Sequence, residues 1–191
     1  GAAGWGSEHW RTLVRDANSL EWSEGHTFPI KEDRPRFVES TNYASAFGEQ
    51  WKKYRRTQLE SDTGTTLSRD RLRRWLGEEL WTSLAGRRVL EAGCGAGRFT
   101  EILVKCGAWT TAIDLSEAVE ANRANLAGTA RYRVAQADMT RLPFQSEQFD
   151  IVLALGAIQH TPDPDTTIAA LAHNVHLGGR FVVYHFPNSI P

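Results

Sequence analysis

From Arg87 onward the hydrophobic positions gather into short, nearly continuous runs separated by stretches of helical period. The runs are residues 88–92 (RVLEA), 110–113 (TTAI), 131–137 (RYRVAQA), 149–155 (FDIVLAL) and 180–186 (RFVVYHF). Short apolar, β-branched runs bounded by turn formers read as strands, and near-continuous ones as strands buried on both faces. Helical patterns occupy the intervals at 97–106, 116–126 and 165–176. Strands alternating with helices in this way predict βαβ units. The expected fold is α/β and Rossmann-like, with five parallel strands and helices on both faces of the sheet.

Upstream of residue 86 the pattern changes. Six of the seven tryptophans (Trp5, Trp10, Trp22, Trp51, Trp75 and Trp81) are scattered there among charges. Phe47, Trp51, Tyr54 and Gln58 recur at three- and four-residue intervals and predict a helix over 44–60. Residues 61–66 (SDTGTT) break it, and Ser68 is placed to cap a second helix with Leu72, Trp75, Leu76 and Leu80 along one face. The chain is therefore expected to divide into a helical N-terminal extension, 1–85, and a Rossmann-like domain, 86–191.

Composition narrows the function classes. A length of 191 residues supports a sizeable core without metal or disulfide, and a net charge of −1 supplies no field directed at nucleic acid or membrane. Residues 52–74 do concentrate Lys52, Lys53, Arg55, Arg56, Arg69, Arg71, Arg73 and Arg74 against Glu60, Asp62 and Asp70. A solvated helix pair explains them; an anionic acceptor or nucleic acid over the ligand pocket is the sharper alternative, and the overall balance disfavours nucleic acid. Cys94 and Cys106 have neither metal-ligand nor disulfide-framework spacing. With no apolar run of the roughly 20 residues of a membrane span, and no secretory signal in the first ten residues, a cytoplasmic protein is expected.

The chemistry centres on "VLEAGCGAGRFT", residues 89–100, where Gly93, Gly95 and Gly97 follow the first predicted strand. Glycines there let the backbone take unusual dihedrals and approach a ligand closely, next to the unpaired N–H groups of a helix start. The spacing is G-x-G-x-G, and Arg98 stands where a dinucleotide fingerprint has its third glycine, so a nucleotide-dependent oxidoreductase is disfavoured. Asp114 ends the second strand about 20 residues on, where an acid accepts from ribose hydroxyls. Asp138 ends the third, able to accept from an exocyclic amine or to cap a turn. Ligands in such sheets sit outside the carboxyl ends of the strands, so these acids describe a nucleoside pocket.

With "AIDLS", "AQADMTRLPF", "FDIVLALGAIQHTPDP" and "LGGRFVV", that motif resembles the ordered motifs of class I S-adenosylmethionine-dependent methyltransferases, over residues 86–186. Residues 42–64 (NYASAFGEQWKKYRRTQLESDTG) resemble a preamble found in bacterial small-molecule methyltransferases of the ubiquinone-biosynthesis type. The resemblance implies S-adenosyl-L-methionine as cofactor. It places Glu91 beneath the glycine loop and near the cofactor's amino group, Gly93 and Gly95 against methionine and ribose, and Asp114 on the ribose hydroxyls. It puts Leu115 beside the adenine, Asp138 on its amino group and Met139 on its ring, with Leu155 and Gly156 along the path of the methyl group.

Methyl transfer needs alignment above all, and a base only where the acceptor is a weakly acidic hydroxyl. His160, in the loop after the fourth strand, and His185, at the end of the fifth, are the candidate bases; a turn-stabilising role explains His160 equally well. "LGAI" at 155–158 replaces the "NPPY" of base-directed N-methyltransferases, which favours a small-molecule acceptor. No metal is expected. The resemblance also implies two further strands forming an antiparallel hairpin, for which the sequence after the fifth strand leaves no room. Either the chain is then a piece of a longer protein, which is the expectation, or a second copy or another partner chain covers that edge, and a truncated or non-catalytic cofactor-binding module that works with a partner is the alternative to a methyltransferase.

Overall fold

The computed structural model describes residues 14–15, 19–21, 27–31, 34–38 and 56–185. Among these the strands are β1 (Val14–Arg15), β2 (Ser19–Glu21), β3 (Thr27–Lys31), β4 (Arg34–Phe37), β5 (Arg88–Ala92), β6 (Trp109–Asp114), β7 (Tyr132–Ala137), β8 (Phe149–Leu155) and β9 (Val175–Tyr184). The helices are α1 (Glu60–Thr63), α2 (Leu67–Leu76), α3 (Glu78–Thr82), α4 (Thr100–Lys105), α5 (Ala118–Asn125) and α6 (Pro164–Ala172), with a 3₁₀ turn at Ile158–His160. The strands form one mixed sheet in the order β1-β2-β3-β4-β7-β6-β5-β8-β9. The Rossmann-like expectation holds for the second half, where β5 to β9 run parallel and alternate with helices.

Why these residues form this sheet is visible in their burial. Along β5, Val89 packs with α2 and α4 on one face, while Leu90 and Ala92 join the core on the other. Strand β8 repeats this, with Ile151 and Leu153 on the first face and Val152 and Ala154 on the second. Period-two alternation between two apolar layers is what a parallel strand covered on both sides requires. The first layer is closed by Leu72, Leu76, Ile102 and Leu103, the second by Ile158 and Leu171.

Three expectations need correction. The N-terminal extension is not wholly helical: β1 to β4 form an antiparallel ribbon, and β4 then pairs parallel with β7, Arg36 opposite Gln136 and Phe37 opposite Ala137. The parallel set therefore has six strands, not five, because β4 extends it at the β7 edge. Phe28 and Ile30 of β3 and Phe37 of β4 pack on the second core layer, which is the apolar gain that holds the ribbon there. Third, the helix expected through 69–80 is broken at Gly77, whose φ of 77° and ψ of 163° are open to glycine and end α2. Ser68 is not its cap but lies inside α2, accepting from Arg98.

The helix expected over 44–60 lies outside the described residues except its end, where 56–58 form a turn. Residues beyond His185 also lie outside them, and with them the expectation about a C-terminal hairpin. Strand β9 begins earlier than expected, because a register shift opposite Phe149 and Ile151 lets the chain bulge through Gly178 and Gly179 and continue pairing.

Candidate functional site

The strand order reverses between β5 and β8, since β6 and β7 lie to one side of β5 and β9 lies beyond β8. A crevice must open at the carboxyl ends there. A cavity of about 320 Å³ occupies it. Its lining brings together Glu91, Gly93, Gly95, Asp114, Leu115, Met139, Leu155, Gly156 and His160, which the sequence places at the site. Asp138 is not in the lining: it sits at the same sheet edge, and its Oδ1 accepts from the backbone and hydroxyl of Thr140, at 2.8 and 2.7 Å. His185 does not line the cavity either, though Tyr184 before it does.

The glycine loop is held by Asp114. Its Oδ2 accepts from the Gly95 N–H at 2.9 Å, and its Oδ1 from the backbone and hydroxyl of Ser116 at 2.9 and 2.6 Å. A carboxylate has about four lone-pair sites, so it retains capacity for a ligand hydroxyl. Gly93 has a φ of 78°, and a Cβ there would lie 2.3 Å from the Cβ of Ala157 and 3.6 Å from Met139 Cε. The loop therefore passes against the segment after β8 at a distance only glycine permits. Gly93→Ala is expected to cost about 1–3 kcal/mol of stability, from the positive φ and the clash together. Ala157→Gly in the same chain should recover only the clash component, as thermal unfolding of the single and double variants will read.

Glu91 lies beneath the loop, 2 % exposed. Burial pushes its carboxyl up to about 8, against the opposing hydrogen bond from Thr100. The Thr100 hydroxyl donates to Glu91 Oε2 at 2.6 Å and accepts from Asn122 Nδ2 at 3.1 Å, while Asn122 Oδ1 accepts from the Tyr132 hydroxyl. Asn122 Nδ2 also donates to the Gly95 carbonyl, tying this buried chain of polar groups to the loop.

The opposite wall was not legible as a site. Trp75 of α2 stacks on Tyr184 of β9 with ring centroids 4.2 Å apart, and meets Phe99 edge-on at 5.6 Å. Arg71 lies over the Trp75 ring at 5.9 Å and also lines the cavity. Arg98 donates from Nε to Ser68 at 2.7 Å and lines the cavity too; burial first, and Arg71 beside it second, lower its pKa. Spacing marked Arg98 only as a missing glycine and Arg71 only as one of a basic run. Parts of that run are spent on ion pairs: Arg56 with Asp62, Arg69 with Glu60 and Arg73 with Glu78.

A glycine loop, a ribose-type acid at the second strand end and a crevice at the switch point define a class of protein. Residues 90–183 match the family described as Methyltransferase domain, and this part of the chain is similar to class I S-adenosylmethionine-dependent methyltransferase domains. Among curated proteins the chain is similar to the ubiquinone biosynthesis O-methyltransferases of Pseudomonas entomophila and Aromatoleum aromaticum. The first is 36 % identical over 112 residues, covering 56 % of this chain and 46 % of that protein. The second is 41 % identical over 101 residues, covering 51 % and 43 %. The chain thus spans about half the length of the curated relatives it matches. Among solved structures, the complex between the Haloferax volcanii Trm112 methyltransferase activator and a putative methyltransferase shares the fold. The TM-score is 0.57 and the identity 22 %, over 74 % of this chain and 61 % of that one.

Proposed function

We propose that this chain binds S-adenosyl-L-methionine in the crevice and transfers its methyl group to a small-molecule acceptor. The observation that carries the reading is the meeting of Asp114 and the glycine loop at the edge of one cavity that also contains Glu91 and Leu155. When bound, the cofactor supplies a methyl group made electrophilic by its sulfonium. Asp114 accepts from a ribose hydroxyl through the capacity left on Oδ2, Leu115 and Met139 enclose the adenine, and Glu91 takes the α-ammonium. Arg71 and Arg98, the two cationic side chains in the lining, hold the α-carboxylate. Asp138 remains a candidate for the adenine amino group through whichever oxygen Thr140 leaves open.

The task of the remaining wall is alignment. Trp75, Tyr184 and Phe99 offer flat apolar surface to an acceptor, and Leu155 and Gly156 line the path between the two. For a hydroxyl acceptor a proton must leave the oxygen, and of the two histidines only His160 faces the cavity. His160→Asn is expected to lower kcat for such an acceptor about 100-fold while leaving cofactor affinity unchanged. Unchanged kcat would return His160 to a turn-stabilising role.

The relatives' names point toward oxygen methylation of a ubiquinone precursor, and a small hydroxylated acceptor is the class we assign. No described helix is long and apolar enough to cross a membrane. The free Cys94 and Cys106 are in keeping with a reducing, cytoplasmic setting. Strand β9 forms an edge of the described sheet with Leu177 and Val183 exposed, so a second copy or a partner chain completing it is part of the reading. The test is transfer of labelled methyl from S-adenosylmethionine to a panel of phenols and catechols. Cofactor binding with no transfer to any of them would favour the partner-dependent module instead.

A further inference from the structure

Strand β4 buries two arginines, Arg34 at 6 % and Arg36 at 7 % exposure, on the strand that covers the β7 edge. An apolar pair would cover an edge without the desolvation cost of guanidinium groups, so their partners decide what they are for. Arg36 Nη1 donates to Gln136 Oε1 at 3.1 Å, and Nη2 pairs with Glu120 of α5. Arg34 pairs with the other carboxylate oxygen of Glu120 at 2.5 Å. Gln136 passes the contact on, donating from Nε2 to the Leu115 carbonyl at 2.8 Å. The register makes this geometry exact in sequence terms, because Gln136 lies opposite Arg36 on one side and opposite Asp114 on the other.

Both contacts end on one segment. Leu115 and Ser116 belong to the turn that leads from Asp114, the last residue of β6, to α5, and Glu120 sits in the first turn of that helix. We propose that the N-terminal ribbon is a working part of the cofactor site: Arg36, with Arg34, clamps the Asp114–Ser116 turn through Gln136 and Glu120. Arg36 and Gln136 are positioning residues, fixing where the ribose acid and the adenine wall stand. Hydrogen bonds from a charged donor in a buried network are strong and directional, which suits a group that must be held to a fraction of an ångström. The inference rests on the cofactor reading above. It adds that nucleoside affinity depends on a segment outside the matched methyltransferase region.

The experiment uses the full chain and needs two readouts. Amide hydrogen exchange over residues 114–118 is compared in the wild type, Arg36→Met, Arg36→Lys and Gln136→Met, without cofactor. S-adenosylhomocysteine, adenosine and homocysteine are then titrated into each by calorimetry. In Arg36→Met and Gln136→Met the turn is expected to exchange faster, and S-adenosylhomocysteine and adenosine to bind about tenfold more weakly, with homocysteine affinity unchanged. Arg36→Lys, which can still reach one partner, should recover part of the loss. A general loss of stability would weaken all three ligands alike and so overturn the positioning role. Wild-type protection at 114–118 in both apolar variants would overturn the clamp. If the wild type itself binds no S-adenosylhomocysteine, the cofactor reading fails, and the exchange data still decide whether β4 clamps the turn. Gln136→Met leaves both arginines on Glu120, so the test survives if Arg36→Met does not fold.

Discussion

Asp114→Ala is expected to weaken S-adenosylhomocysteine binding by about 100-fold or more. A hydrogen bond to a charged group is worth about 1.5–3 kcal/mol, and the ribose would lose its charged acceptor while the loop beside it loses its anchor. The substitution also releases the Gly95 N–H and the Ser116 hydroxyl from the carboxylate that holds them. The glycine loop and the adenine-side turn would then no longer share an anchor. Asp114→Asn separates the two contributions: its single carbonyl oxygen can keep Ser116 or Gly95 but not both with a ribose hydroxyl, so an intermediate loss of about tenfold is expected. Calorimetric titration of both variants, with thermal unfolding to confirm that each is folded, reads the result. Wild-type affinity in folded Asp114→Ala would remove the nucleoside from this end of the crevice.

How far the site could be read from sequence follows from where each of its residues sits. Glu91 and Asp114 stand at the ends of apolar runs, and a parallel sheet brings all such ends to one edge, so their meeting follows from the pattern alone. Strands 88–92 and 149–155 were legible to the residue because both faces are buried and the run is unbroken. Strands β3 and β4 were not. Their segments, TFPIK and RPRF, carry Pro29, Pro35 and two arginines that look solvated until Glu120 and Gln136, far along the chain, supply partners. Gly77 hid for the opposite reason: Leu72, Leu76 and Leu80 keep helical spacing across it, so the hydrophobic pattern runs on where the backbone turns. Trp75 and Tyr184 have no shared motif, and their stacking depends on α2 crossing the end of β9. Arg71 and Arg98 likewise acquire their place only from the fold, because neither charge nor spacing says which of many arginines will face a cavity.

Glu91→Gln is expected to move stability and cofactor affinity in opposite directions, and the pH dependence gives the sign. Burial holds the native carboxyl at about 8, well above its usual 4.5, so between those values the folded chain keeps a proton that the unfolded chain has released. Stability contributed by this group is therefore fully present below about pH 4.5, is lost progressively as pH rises, and is gone above about 8, a swing of roughly 5 kcal/mol. Glutamine stays neutral and can still accept from Thr100 through its carbonyl oxygen, so the variant should lack this decline and unfold at the higher temperature at pH 8. Binding reverses the balance. An α-ammonium set against Glu91 favours its ionised form, so at pH 6.5 the wild type should release a proton when S-adenosylhomocysteine binds, and its affinity should rise toward pH 8. Glutamine has no charge to offer, and the affinity of the variant should be lower by about tenfold or more. Calorimetry in buffers of different ionisation enthalpy counts the released protons. Equal heats in all buffers for the wild type, or an unaltered affinity in Glu91→Gln, would place the ammonium elsewhere and leave Glu91 as a neutral acid whose only partner in the chain of Thr100, Asn122 and Tyr132 is structural.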